Sequence, residues 1–321
     1  MRYLNSYLTE HIENIRDARG AAVMLGNFDG MHMGHLALFD VLAQTADTAE
    51  LAKVVLSFWP HPVSYMGAPG FGLLLSSREK ARILEELGAD TFIEYPFDDE
   101  LRNMPPGDFI KTVVVDQLNA KAIIVGEDFC FGRNREGSAA YLRELSGTHG
   151  FDVHVVDSVT YDGERVSSQL IRECVSARNF GRCAELMTRP YQLSGVVEHG
   201  KQLGRRLGFP TLNISPSPEK LLPPNGVYLT SASILSDEGG QTYESITNVG
   251  VNPTVSEGGA AIKCETYLYD FDEKIYGKEV IINFYDSIRG ERKFKDTDAL
   301  KRQVTSDIET GRTLWKKLML Q

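Results

Sequence analysis

The sequence predicts two folds in series: an α/β half built on a parallel sheet, then a small antiparallel β-barrel that ends in helices. Three observations carry the division. From the start to about residue 187, short apolar runs alternate with amphipathic stretches, as in a parallel sheet covered on both faces. Beyond that point, runs of period two follow one another without helices between them, as in a small barrel. The length of 321 residues also suits two domains, at roughly 150 residues each. The expected domains are 1–187 and 188–321, with the change of pattern near Arg189-Pro190.

In the first half, strands are expected at Ala21–Leu25, Lys53–Phe58, Thr91–Tyr95, Ala122–Val125 and Val153–Val156. Helices are expected between them at Met33–Ala46, Ser77–Leu87, Asp108–Leu118 and Ser138–Ser146. Ser77, three residues before Lys80, is a usable N-cap, and Gly88 is a stop. Ser168–Ala177 and Phe180–Met187 close this half as helices. The barrel strands are expected at Tyr191–Val197, Val227–Leu235, Ser245–Val249, Lys263–Tyr269 and Glu279–Tyr285, with a hairpin turn at Asp237-Glu238-Gly239-Gly240. Asp298–Ile308 and Thr313–Leu320 read as two terminal helices.

Composition narrows the function classes. Hydrophobic content of 42% and charged content of 24% are ordinary for a globular protein. A net charge of -10 argues against a general nucleic-acid binder, although a small anion needs only a local site. Cys130, Cys174, Cys183 and Cys264 form no Cys-x-x-Cys pair, so neither a zinc site nor a disulfide scaffold is suggested. The first ten residues lack the apolar core of a signal peptide, and no apolar run reaches membrane-spanning length. A soluble cytoplasmic protein without nucleic-acid or membrane partners is expected. The oligomeric state is left open.

The densest stretch in the first half is Gly26-Asn27-Phe28-Asp29-Gly30-Met31-His32-Met33-Gly34-His35. Strand, glycine-rich loop and helix start follow in order, at the carboxyl end of a strand where α/β folds bind ligands. The helix N-terminus suits phosphate. His32 and His35, three residues apart, fall on one helix face and can hold phosphoryl oxygens. Asp29, His32 and His35 also fit a metal site, which leaves a metal-dependent hydrolase as a rival reading. Three more blocks lie after strands or at a helix start: Phe58-Trp59-Pro60-His61-Pro62, Gly126–Gly137 with Asp128, and Arg165-Val166-Ser167-Ser168-Gln169-Leu170-Ile171-Arg172. Asp128 with its neighbouring aromatics suits a ribose or amine. Arg165 and Arg172 around Ser168 suit a phosphate clamp, although Ser168 also serves as a plain N-cap.

In the second half, Gly200, Gly204 and Gly208 recur every four residues around Lys201, Arg205 and Arg206. A basic glycine-rich loop is a cradle for polyphosphate; a basic hairpin surface is the alternative. Thr211 and Asn213 share one face if extended, so both oxygens can meet one Mg²⁺.

His32-Met33-Gly34-His35 resembles the signature of nucleotidyltransferases, whose paired histidines hold nucleotide phosphates. Taken together, the four blocks resemble the bifunctional riboflavin kinase/FMN adenylyltransferases, or FAD synthetases. Gly204–Asn213 is similar to that family's kinase motif, with Leu212 where Ala is usual. Gly226-Val227-Tyr228, Asn248–Thr254 and Arg289–Phe294 are similar to its later blocks. The resemblance implies a nucleotidyltransferase-like, Rossmann-like first domain and a kinase barrel. It implies ATP with Mg²⁺, and riboflavin, FMN and FAD as substrates and products.

On the adenylyltransferase side the resemblance implies His32 and His35 on ATP phosphates, with Gly26, Phe28, Asp29, Gly34, His61, Asp128, Arg165, Ser168 and Arg172 binding ATP or flavin. On the kinase side it implies Glu265 as the catalytic carboxylate. It also implies Gly200, Lys201, Gly204, Arg205, Gly208 and Pro210 as binding residues, and Thr211 and Asn213 at the metal. Trp59 stands where an acidic residue is common, and Thr188 where a Gly commonly precedes Arg-Pro-Tyr. Two functional alternatives remain at this point. One keeps a single activity, with the other domain as a flavin-binding module. The other makes the barrel a flavin- or RNA-binding module without kinase activity.

Overall fold

The structure is a computed structural model and describes residues 1–5, 17–200, 204, 208–236, 240–252 and 261–320. Among the sequence expectations, Lys201, Arg205, Arg206, the Asp237–Gly239 part of the hairpin turn, and Pro253 and Thr254 lie outside the described residues. The chain divides into two compact units, 1–168 and 169–321.

The first unit holds β1 (Arg2–Asn5), β2 (Ala21–Leu25), α1 (Met33–Ala49), β3 (Ala52–Trp59), α2 (Pro62–Tyr65), α3 (Ser77–Glu86), β4 (Thr91–Pro96) and α4 (Asp99–Asn103). After them come α5 (Pro106–Phe109), β5 (Ala120–Gly126), β6 (Cys130–Phe131), β7 (Gly137–Ser138), α6 (Ala139–His149), β8 (Asp152–Val156), β9 (Thr160–Tyr161) and β10 (Glu164–Arg165). Six parallel strands lie in the order β1-β4-β3-β2-β5-β8. The order reverses between β2 and β5, so the segments following those two strands flank the switch point where such sheets bind ligands. Buried β2 feeds both cores by alternation. Ala21, Val23 and Leu25 pack with Phe109, Val113 and Leu142, whereas Ala22 and Met24 pack with Leu38, Phe39 and Leu42 of α1.

Several expectations need correction. β1 was absent from the sequence reading, because four residues at a sheet edge give too short a pattern. The helix expected at Asp108–Leu118 is α5 continued as a π-helix over Ile110–Gln117. The N-cap of α3 is Ser76, one residue before the expected Ser77. The Ser76 hydroxyl accepts from Glu79 N at 3.3 Å and Glu79 Oε2 accepts from Ser76 N at 2.8 Å, a complete capping box.

The second unit starts within α7 (Ser168–Ser176), continues through α8 (Phe180–Met187), and closes a six-stranded antiparallel barrel. Its strands are β11 (Tyr191–Glu198), β12 (Leu212–Ile214), β13 (Gly226–Ile234), β14 (Gln241–Asn252), β15 (Ala261–Leu268) and β16 (Glu279–Gly290), in the order β11-β12-β15-β14-β13-β16. β12 went unread as a barrel strand, being three residues long. Phe180 of α8 packs against Tyr191, Tyr228 and Phe284, all buried. Buried hydroxyls join neighbouring strands: Thr230 to Ser245 and to Thr247, each at 2.8 Å, and Thr247 to Thr266 at 2.9 Å.

The two terminal helices expected from sequence are one, α9 (Thr297–Leu318). Gly311 does not break it. A Cβ there would sit 2.6 Å from Ile246 Cγ2 and against the Tyr269 hydroxyl, so the glycine lets the helix approach the barrel. Arg289 of β16 anchors α9 through a bidentate pair with buried Asp307, at 3.0 and 2.8 Å. Removing one partner of such a buried pair costs roughly 3–5 kcal/mol.

Cys174, Cys183 and Cys264 are buried and Cys130 is exposed. Burial pushes the Cys183 and Cys264 thiols up to about 12. No helix among the described residues is long and apolar enough to cross a membrane.

Thr188 caps α8 with φ 58, a left-handed geometry that strains a β-branched residue and favours glycine. This accounts for the glycine usual at that position. Thr188→Gly is expected to stabilise the second unit by about 1 kcal/mol, measured by denaturant unfolding.

Candidate active sites

The first candidate site is the turn from β2 into α1. Phe28, Gly30 and Met31 take φ of 50, 93 and 40. This is backbone that few side chains adopt, so other contacts must hold it. Phe28 and Met31 are buried in the core beneath α1. A Cβ on Gly26 would stand 2.7 Å from the Phe28 ring, so only glycine fits there. The Asp29 carboxylate accepts from Leu74 N at 2.9 and 3.1 Å and from Leu75 N at 3.1 Å. Ser168 Oγ donates to Asp29 O at 2.6 Å, which brings the fourth sequence block onto the loop.

His32 is the N-cap of α1, and its ring stacks on His35 with centroids 3.7 Å apart and planes at 18°. Phe28 meets His35 edge-on at 5.5 Å. Two imidazoles therefore present their nitrogens together at a helix N-terminus, where hydrogen-bond donors and the helix dipole favour an anion. Gly34 lies beside them, with its Cβ position 3.2 Å from the His32 ring.

The other blocks fall on neighbouring strand ends. His61 caps α2 beyond β3, accepting from Val63 N through Nδ1 at 3.2 Å, with its ring 4.8 Å from that of Phe71. Trp59 ends β3, half-buried. Asp128, beyond β5, pairs with Arg165 at 2.7 Å, both largely exposed. Ser158 holds the neighbouring Glu127 carboxyl below the usual carboxylate range. Arg172 lies one turn after Ser168 along α7, in the second unit. Among the described residues, no group of three or more His, Cys, Asp or Glu is arranged to hold a metal ion. The metal reading of Asp29, His32 and His35 therefore has no cluster behind it.

One residue of this site escaped sequence reading. Lys80 of α3 is 6% exposed, and its Nζ donates to Asn27 O at 2.9 Å and Ser57 Oγ at 3.1 Å. Glu94 Oε1 lies 3.9 Å from it, and Tyr3 donates to Glu94 at 2.6 Å. Burial lowers the Lys80 pKa, opposed by the charges of Glu94 and Asp29. The signal lay in α3, where a polar-looking face carries the buried residues Glu79 and Lys80.

The second candidate site lies on the outer face of the barrel. Asn213 of β12 pairs in register with Glu265 of β15, which pairs in register with Asn248 of β14. Register partners share a face, so a carboxylate stands between two amides. Glu265 and Asn248 are exposed, whereas Asn213 is 8% exposed. Asn248 was noted only as part of a family block; the register reveals its place. Gly200 faces Asn213 across β11 and β12, and a Cβ on it would come within 2.6 Å of Asn213 Oδ1. Asn213 Nδ2 is directed to Thr211 O at 3.5 Å, so Oδ1 remains its acceptor toward a ligand. The Thr211 hydroxyl lies 3.2 Å from the Cβ position of Gly204. Gly208 has φ 91 and Pro210 is exposed.

Comparison with known proteins finds a family for each half of the chain. A family model described as FAD synthetase matches residues 14–170, and one described as riboflavin kinase matches residues 187–315. A bifunctional riboflavin kinase/FMN adenylyltransferase from Haemophilus influenzae is 35% identical over 301 residues, covering 94% of this chain and 96% of its own. Its counterpart from Pseudomonas fluorescens is 32% identical over 308 residues, covering 96% and 97%. A solved structure described as a macrolide-efflux protein from Streptococcus pneumoniae superposes with a TM-score of 0.82 at 27% identity, covering 97% of this chain and 99% of that one.

Gly26→Ala is expected to force its methyl into the Phe28 ring and destabilise the first unit by about 1–3 kcal/mol. Denaturant unfolding of purified protein would measure the loss, and an unchanged midpoint would contradict this packing account.

Proposed function

This chain belongs to the bifunctional riboflavin kinase/FMN adenylyltransferase family, and we propose that it carries out both reactions, one in each half. The kinase half transfers the γ-phosphoryl group of ATP to riboflavin, giving FMN and ADP. The adenylyltransferase half joins FMN to the AMP part of a second ATP, giving FAD and pyrophosphate. The observation that carries the reading is that each half of the chain, with its own differently built candidate site, is matched by its own family model. The proposed functional boundary is the change of pattern near residue 187, with 1–187 serving adenylyl transfer and 188–321 serving phosphorylation.

In adenylyl transfer an FMN phosphate oxygen attacks the α-phosphorus, and the bond to pyrophosphate breaks. No protein nucleophile is needed, so the site works by positioning and by stabilising negative charge. The stacked His32 and His35, at the α1 N-terminus, would donate to ATP phosphates. Asp29 would act through the loop that it ties to Leu74 and Leu75. Ser168, Arg165 and Arg172 would serve phosphate, and Asp128 the nucleotide once its pair with Arg165 opens. The aromatic surroundings of His61 and Trp59 suit the flavin ring.

In the kinase half, a primary hydroxyl of riboflavin attacks the γ-phosphorus and loses its proton. Glu265, in register between Asn213 and Asn248, would accept that proton as the base. Asn213, beside the Cβ position of Gly200, and Thr211, beside that of Gly204, offer neutral oxygen donors, a fit in chemistry for Mg²⁺, which prefers hard oxygen ligands and keeps its own waters. Bound there with ATP, Mg²⁺ would neutralise phosphate charge. Lys201 and Arg205 would bind ATP phosphates through their positive charge. A cytoplasmic enzyme fits these substrates.

Purified protein incubated with riboflavin and MgATP is expected to form FMN and then FAD, resolved by chromatography. Absence of both products would reject the reading. Glu265→Gln is expected to lower riboflavin phosphorylation by roughly 10²-fold or more while FAD formation from added FMN continues. If FAD formation from FMN is lost in the parent protein, the single-activity alternative takes its place.

A further inference from the structure

The turn into α1 contains a buried cation to which the reaction above assigns no part. We propose that Lys80 is a positioning residue for adenylyl transfer: its ammonium holds and polarises the Asn27–Phe28 peptide, so that Phe28 N–H is presented as a hydrogen-bond donor to an ATP phosphate. The proposal rests on the adenylyl-transfer reading of this loop and deepens it.

The geometry carries the argument. Lys80 Nζ donates to Asn27 O at 2.9 Å, and Ser57 Oγ donates to the same oxygen at 3.1 Å. Asn27 O thus takes two hydrogen bonds, one of them from a charged group. The peptide it belongs to is trans. In a trans peptide the N–H points opposite to the C=O. Phe28 N–H is therefore directed to the side of the loop away from Lys80. Among the described residues no hydrogen bond is found for that N–H. Phe28 itself has φ 50 and its ring lies against His35, so the peptide sits beside the histidine pair in an orientation that the chain does not adopt unaided. Withdrawing electron density at the carbonyl strengthens the N–H as a donor.

The setting also argues against a packing role alone. An apolar side chain of similar length would fill the position without the cost of desolvating a charge. Instead three strand ends supply polar partners: the Asn27 carbonyl after β2, Ser57 on β3 and Glu94 on β4. The ionised groups acting on the ammonium are Glu94 and Asp29. Tyr3 donates to Glu94, and Glu79 on the same helix bonds Ser76 N.

The test uses the full chain and reads both activities on each preparation. Lys80→Met is expected to lower kcat for FAD formation from FMN by at least about tenfold and to raise the KM for ATP. The KM for FMN and the riboflavin phosphorylation rate should stay at parent values. Parent-like kcat and KM for ATP in Lys80→Met would overturn the proposal. Should that variant fail to fold, Glu94→Gln decides. It keeps the lysine and removes the charge that favours the ammonium, so the alkaline limb of FAD formation should move to lower pH. An unmoved limb would overturn the proposal. A parent protein that forms FMN but no FAD would instead remove the adenylyl-transfer reading beneath it, before any variant is compared.

Discussion

The first site depends on a backbone that cannot hold itself. Phe28, Gly30 and Met31 all take positive φ within four residues, and strain of this kind costs on the order of 1–3 kcal/mol per non-glycine residue. Such a loop persists only where its surroundings over-determine it. Here the side chains of Phe28 and Met31 are sunk in the core, the Asp29 carboxylate is tied to Leu74 and Leu75, and the carbonyls of Asn27 and Asp29 each accept side-chain donors. The supports come from residues far apart in sequence. The local pattern Gly26–His35 therefore works only as the meeting point of the whole sheet edge.

The two halves meet the same chemical problem, a polyphosphate, with different means. The α/β half has the switch point of a parallel sheet, where a helix start and two stacked imidazoles would suit an anion. The barrel has no such point, because every strand edge is closed. It offers instead Gly200 set close against Asn213 and a row of side chains, Asn213, Glu265 and Asn248, across three strands. The difference matches the two reactions. Attack at the α-phosphorus needs no protein base, whereas attack by a hydroxyl at the γ-phosphorus does.

Much of this was legible in the sequence because it lies in local patterns. The Ala21–Leu25 strand has the predicted bounds, and Phe180–Met187 likewise. What was not legible depended on partners distant in the chain. β1 and β12 are too short to show a period and exist because β4, β11 and β15 offer ladders. Gly311 reads as a helix breaker until the barrel surface beside it is known. Lys80 entered the sequence reading only as a position in a helix start, since nothing in its neighbourhood in sequence announces Asn27, Ser57 and Glu94 around it. For the site residues, sequence motifs named the types, but the stacking of His32 on His35 and the flanking of Glu265 by Asn248 needed three dimensions.

The hydroxyls inside the barrel have a bearing on the carboxylate outside it. Thr247 and Thr266 bond each other at 2.9 Å on the inner face, one residue along each strand from Asn248 and Glu265 on the outer face. A strand that slips by one residue turns every side chain over. Such a slip of β15 would bring Glu265 into a dry interior and take from the Thr247 hydroxyl one of its two partners, leaving it Thr230 alone. The inner pair thus serves as an indexing pin: a cost incurred out of reach of solvent decides which way the Glu265 carboxylate faces. Loops at the rim of the barrel can then vary in length without resetting the alignment of that outer face.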